Sequence, residues 1–189
     1  MIRSLSVGTE TNLPVIAHNR WWCNETDYAE RNGGKYKFLI DDIAGTAVPV
    51  DDSFFEDLFK NSTAWGLKVY LQDWLDVETK HLSIFEQDLE IERNWLMQMG
   101  HGARRNDINI LYCMSYSRHM MQSVEIENVV SIRASDDYHP GKSLSWPQWD
   151  IGLTSIWTYA LGLAPFKVRQ RIIVRQDPCT NFSQFSGKD

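Results

Sequence analysis

Aspartates placed where an apolar run turns polar are the first groups in this chain that could do chemistry. Residues 128–140 read Asn-Val-Val-Ser-Ile-Arg-Ala-Ser-Asp-Asp-Tyr-His-Pro. Val129, Val130 and Ile132 predict a short buried strand, after which Arg133, Asp136, Asp137 and Tyr138 follow before Pro140 ends the run. A carboxylic acid held at a strand end can give or take a proton, and a carboxylate can attack an electrophilic carbon. Arg133 favours the ionised form of its neighbours, whereas burial beside Tyr138 favours the protonated one. The same residues also suit a solvated strand-to-loop junction, with the two aspartates capping a turn and Arg133 offsetting their charge. The pattern of strand then carboxylate recurs at Asp73, behind Leu67, Val69 and Leu71, and at Asp41-Asp42, behind the apolar alternation of 36–40. His18, Asn19 and Arg20 stand at the end of a further strand within 13–23.

Such groups converge only if their strands run parallel, because ligands in α/β folds bind at the carboxyl ends of the strands. Parallel neighbours need helical crossovers, and the chain offers them. Apolar spacing predicts helices over 54–60, 78–98, 116–123 and 149–163, alternating with strands within 65–75, 109–115 and 129–132. Gly100-His101-Gly102 is expected to stop the second helix, and its Glu86, Asp88, Glu90 and Glu92 to form a solvated face. The expected fold class is α/β, a (β/α)8 TIM-barrel-like architecture, with a doubly wound open sheet as the alternative. A full barrel takes ~250 residues, and the alternation here stops at Phe166 after about five strands, so an incomplete barrel is expected. Residues 1–12 read as a poorly ordered start, 13–166 as the barrel domain and 167–189 as an irregular tail.

A net charge of -6 argues against nucleic acid or an anionic membrane surface as partner. No apolar run is long enough to span a bilayer and the first residues lack a signal-peptide core, while sequons at Asn24, Asn61 and Asn181 leave a secretory or lysosomal origin open. Cys23, Cys113 and Cys179 are far apart and form neither a zinc signature nor a disulfide framework. Eight tryptophans suit two uses, core packing and stacking on the apolar faces of sugars.

The block Ser131-Ile-Arg-Ala-Ser-Asp-Asp-Tyr-His-Pro, with Trp149-Asp-Ile-Gly-Leu and the helix running to Leu163-Ala-Pro-Phe, resembles the Arg-x-Ser-Asp-Asp block and following helix of family 36 glycoside hydrolases, the α-galactosidase and raffinose-synthase group. The resemblance covers about 111–166, and 36–42 looks like the family's strand ending in paired aspartates without its usual Gly-Trp. It implies a retaining (β/α)8-barrel glycosidase acting on a carbohydrate substrate with no metal or organic cofactor. By position in the block, Asp137 matches the acid/base, four residues after Arg133, and Asp136 its neighbour in the sugar site. The family's nucleophile lies two residues after a lysine; Asp73, five after Lys68, is the candidate here. Asp41, Asp42, Trp74, Arg133 and Asp136 are then expected to hold the sugar. Asp136 and Asp137 cannot themselves be the catalytic pair, since adjacent strand residues point to opposite faces. Competing expectations are a non-catalytic, truncated carbohydrate-binding remnant, and an unrelated hydrolase using a metal held by His18, His101, His119 and aspartates, none of them at ligand spacing.

Overall fold

The computed structural model describes residues 13–134 and 148–166. In chain order the elements are β1 (Val15–Asn19), β2 (Trp22–Cys23), β3 (Phe38–Asp41), β4 (Thr46–Pro49), α1 (Phe54–Thr63), β5 (Leu67–Gln72), α2 (Leu75–His81), α3 (Ser83–Gln87), α4 (Leu89–Arg105), β6 (Asn109–Tyr112), α5 (Ser117–Gln122), β7 (Val129–Arg133), α6 (Gln148–Ala160) and β8 (Ala164–Phe166). The fold is α/β. Five strands form one all-parallel sheet in the order β1-β5-β6-β7-β8. Each strand lies beside its predecessor in that sheet, so the winding never reverses among the described residues. A doubly wound sheet reverses where its halves meet.

The register separates the two faces of this sheet. Tyr70 pairs with Ile110, Gln72 with Tyr112 and Tyr112 with Ile132, and all five are fully buried on one face. Helices cover that side, where the Phe59 ring of α1 meets Tyr70 edge-on at 5.1 Å. On the other face Ile16 pairs with Val69, and Leu71 with both His18 and Leu111. Ile16 is 57% exposed, and Val69, Leu71 and Leu111 are only half-buried. Among the described residues this second face is apolar and open toward β1, while Ser131 and Cys113 on it are buried. Parallel sheets are normally covered on both sides.

The strand expected at 36–40 does form, but not as part of the parallel sheet. β3 pairs antiparallel with β4, and β4 with β2, in a separate three-stranded sheet. Gly45, at φ 69°, completes the β3–β4 turn, which only a residue free of a Cβ enters without strain. The Gly and Pro flanking Thr46-Ala-Val-Pro read as loop signals in sequence, which hid β4, although all four of its residues are buried. The aromatic residues gather here. Phe54 meets Trp22, Tyr36 and Phe38 at ring distances of 5.1 Å each, edge to face. Burial of each such ring is worth about 1.5–3 kcal/mol, so core packing absorbs much of the unusual aromatic content.

The single helix expected over 78–98 is three. Leu82, buried, leaves helical geometry at φ -93°, ψ 93°, and Asp88 does so at φ -139°, ψ 101°. The Asp88 side chain then accepts the Glu90 amide at 3.0 Å and caps α4. Glycines 100 and 102 do not stop that helix, which continues to Arg105. They allow close packing instead: a Cβ on Gly100 would stand 2.4 Å from the Ile126 side chain, and one on Gly102 2.8 Å from the Phe55 backbone. Glu92, expected in solvent, is fully buried. On α6, Ile156 and Tyr159 are 67% and 78% exposed. β8, three residues long around Pro165, gave no strand signal and extends the sheet beyond β7.

Candidate functional site

The carboxyl ends of β1, β5, β6 and β7 bring four side chains onto one edge. Alternation along each strand continues the open face through His18, Asp73, Cys113 and Arg133. Asp73 is at the centre. Its Oδ2 lies 2.9 Å from Nε2 of His18, and its Oδ1 accepts the Trp74 amide at 2.8 Å. Its own amide donates to the Asn19 carbonyl at 2.8 Å, and the Cys113 amide donates to the Gln72 carbonyl at 2.9 Å, so the strand ends remain laddered to the site. Gln72, buried on the helical side, accepts from the Tyr70 hydroxyl at 3.0 Å and donates to the Asp73 carbonyl at 3.0 Å.

Burial pushes the Asp73 carboxyl up, but hydrogen bonds from His18, the Cys113 thiol and the Trp74 amide outweigh it and hold the group below the ordinary aspartate value. The balance makes Asp73 a carboxylate at neutral pH. Burial, then the charge of Asp73, pushes the Cys113 thiol far up, and Arg133 only partly opposes them. Cys113 therefore stays a thiol that can donate its proton to Asp73. Removing His18 should raise the Asp73 pKa. In a His18→Ala variant the acid limb of any pH–rate profile is then expected to move to higher pH. The stability that Asp73 contributes above the unfolded aspartate value, lost as pH falls through its depressed folded value, should shrink likewise. A pH titration of wild type and variant, by rate and by urea midpoint, checks this, and coincident curves would sink it.

Two residues at this edge hold a backbone conformation that side chains disfavour. Trp74 sits at φ 59°, ψ 34° and Met114 at φ 49°. Left-handed non-glycine residues collect at functional sites when the surroundings enforce them. The enforcement is local: the Asp76 amide donates to the Met114 carbonyl at 2.9 Å, tying the turn after β5 to the turn after β6. Trp74 also meets Trp21 edge-on at 5.3 Å.

Beneath these turns lies a buried polar network on α2, α4 and α5. Glu92 and His119 are both fully buried, with Nε2 of His119 2.6 Å from Oε1 of Glu92. The Thr79 hydroxyl lies 2.8 Å from the same carboxylate oxygen, and Arg118 pairs with Oε2 at 2.6 Å. The Tyr116 amide donates to Nδ1 of His119 at 2.9 Å, which leaves the proton of the neutral ring on Nε2, facing Glu92. Glu78 is buried nearby, and burial, with Glu92's charge adding to it, drives its carboxyl well above the usual range. Among these, only His119 was a site candidate in sequence, as a metal ligand.

The other expected site residues divide. Trp74 and Arg133 join the row with Asp73. Asp41 and Asp42 do not, because β3 belongs to the antiparallel sheet. Asp41 accepts the amides of Ile43 and Ala44 at 2.9 Å each, closing the hairpin, and Asp42 pairs with Arg31 at 2.7 Å. Asp136 and Asp137 lie outside the described residues, two and three positions beyond Ala134, where the amide still donates to Phe166 in β8 at 2.9 Å. His18, His101 and His119 stand on three different elements, and no group of three His, Cys, Asp or Glu residues able to hold a metal occurs among the described residues. Sequence reading missed Cys113 as a site residue, weighing it only for zinc and disulfides; counting in twos from Leu111 places it beside Asp73. No protein-family model, curated protein or solved structure matches the chain.

Proposed function

We propose that this chain is a glycosidase-like arc of a (β/α)8 barrel that hydrolyses a glycosidic bond with retention. The observation that carries the reading is Asp73: an ionised, largely buried carboxylate on the open face at the carboxyl end of a parallel strand, held by three donors. Unreversed winding and a partly open apolar face are what one arc of a singly wound barrel would have. In this reading Asp73 attacks the anomeric carbon while Asp137 protonates the departing oxygen, giving a glycosyl ester on Asp73. Water then attacks that ester as Asp137 takes its proton, restoring both groups. Trp74, Arg133 and Asp136 hold the sugar. His18 and Cys113 keep the nucleophile ionised and aimed.

The test is a panel of aryl α- and β-glycosides with the Asp137→Asn variant in parallel. One anomer is expected to turn over, and the variant to lose about 10²–10⁴-fold on substrates with poor leaving groups. Folded, monomeric protein that turns over nothing would overturn the catalytic reading. The second reading, a sugar-binding remnant, is favoured by the partly open sheet face, and predicts binding without turnover, unchanged in Asp137→Asn.

A further inference from the structure

Arg20 follows β1 directly and stands beside the nucleophile, yet the site described so far gives it no task. Its guanidinium lies 5.3 Å from the Trp74 ring centre and 6.0 Å from that of Trp21. Both indoles are half-buried, so the three side chains form an aromatic shelf with a cation on it, open to solvent at the strand-end edge. The backbone beneath is fixed, because the Arg20 carbonyl accepts from the Gln72 side chain and Asn19 accepts the Asp73 amide. Cation–π attraction holds the guanidinium near the two indoles.

Arg20 differs from most cations of this acidic chain in its charge partner. Arg31, Lys35, Lys68, Arg93, Arg104, Arg105 and Arg118 each lie within 3.0 Å of a carboxylate oxygen. Among the described residues Arg20 pairs with no carboxylate, and its Nε is buried without a hydrogen-bond partner. A guanidinium with no carboxylate partner among the described residues, next to aromatic rings that can stack on a sugar, is a receptor for an anion.

We infer that Arg20, Trp21 and Trp74 form a subsite for an anionic ring substituent, so that the glycoside bound beside Asp73 is a charged one, a hexuronide or a sulfated hexoside, rather than a neutral sugar. The inference rests on the glycosidase reading. Its chemistry is simple: the indoles take the apolar face of the pyranoside, and the guanidinium forms charge-assisted hydrogen bonds to the carboxylate or sulfate oxygens.

Calorimetric titration of the full chain with methyl hexosides, methyl hexuronides and hexoside 6-sulfates tests this without needing turnover. An anionic ligand is expected to bind about tenfold or more tightly than its neutral parent, with the advantage shrinking as salt is raised. Arg20→Gln should erase the preference, and Arg20→Lys should keep part of it. The preference for uronide or sulfate names the anion. Equal binding of neutral and anionic sugars, or a preference that survives in Arg20→Gln, overturns the inference. Near-UV circular dichroism checks that the tryptophan shelf persists in the variants, and the wild-type salt dependence stands as an independent test if Arg20→Gln does not fold. Asp73-dependent turnover of neutral glycosides without anion preference would sink this inference alone. Arg20-dependent anion binding with no turnover of any glycoside would leave the subsite standing and remove the hydrolase reading.

Discussion

An Asp73→Ala variant is expected to lose on the order of 10⁴-fold or more in turnover of its best aryl glycoside, with a modest fall in urea midpoint at neutral pH as the stability of the depressed carboxylate is lost. The size follows from what is removed. Without the carboxylate no glycosyl ester can form, and water would have to reach the anomeric carbon from the same side unaided. Alanine leaves a space lined by the His18 ring, the Cys113 thiol and the Trp74 amide, three donors that faced a negative charge. A small anion can occupy it. Added azide should restore part of the rate by attacking the anomeric carbon as the aryl oxide leaves, giving a glycosyl azide of inverted configuration. Recovery of that product identifies Asp73 as nucleophile, whereas an Asp73→Ala enzyme with near wild-type turnover would falsify the assignment.

The second large effect is on stability. Replacing Glu92 with alanine is expected to cost about 2–4 kcal/mol in urea unfolding, because a buried donor left without its acceptor costs about 1–3 kcal/mol and the side chain's packing goes with it. Two groups lose their acceptor at once, the part-exposed Arg118 guanidinium and the Nε2 proton of fully buried His119, while the Thr79 hydroxyl keeps the Leu75 carbonyl as acceptor. The Glu92→Gln variant keeps the shape and most hydrogen bonds and should fall between wild type and Glu92→Ala. A cost below about 1 kcal/mol for Glu92→Ala would mean that solvent reaches the network. The effect should also spread upward. Thr79 is on α2, which starts right after Trp74, and His119 is on α5, which starts three residues after Met114. Loosening either helix frees the two left-handed turns that aim the site.

Much of the parallel frame was legible because its signals are local. Alternation in Leu67, Val69 and Leu71 gave β5 and its terminal Asp73, and the β-branched run at 129–132 gave β7 and Arg133. What was not legible depends on partners distant in sequence. Phe38, Leu39 and Ile40 look like any short strand, and only their pairing with Thr46-Ala-Val-Pro makes them half of a hairpin, which takes Asp41 and Asp42 from the site to a turn and a surface pair. Glu92 reads as one more acidic residue on a charged helix until His119, 27 residues on, is packed against it. Glycines 100 and 102 look like a stop signal because the chains that crowd them, Ile126 and Phe55, are far away along the sequence. The same distance effect hid Cys113, whose role comes from Asp73 on the neighbouring strand.

The unreversed order of the main sheet also bears on how the chain is made. Each parallel strand after β1 docks on the strand that precedes it in that sheet. In that sheet only β1 has to wait for its partner, β5, to be synthesised. The sheet can therefore grow in step with translation from the ribosome, one crossover at a time, as each loop closure brings in only the newest strand. The newest strand carries one unpaired edge and β1 the other, so during synthesis one edge in need of a chaperone moves along the chain from β5 toward β8 while the β1 edge stays in place.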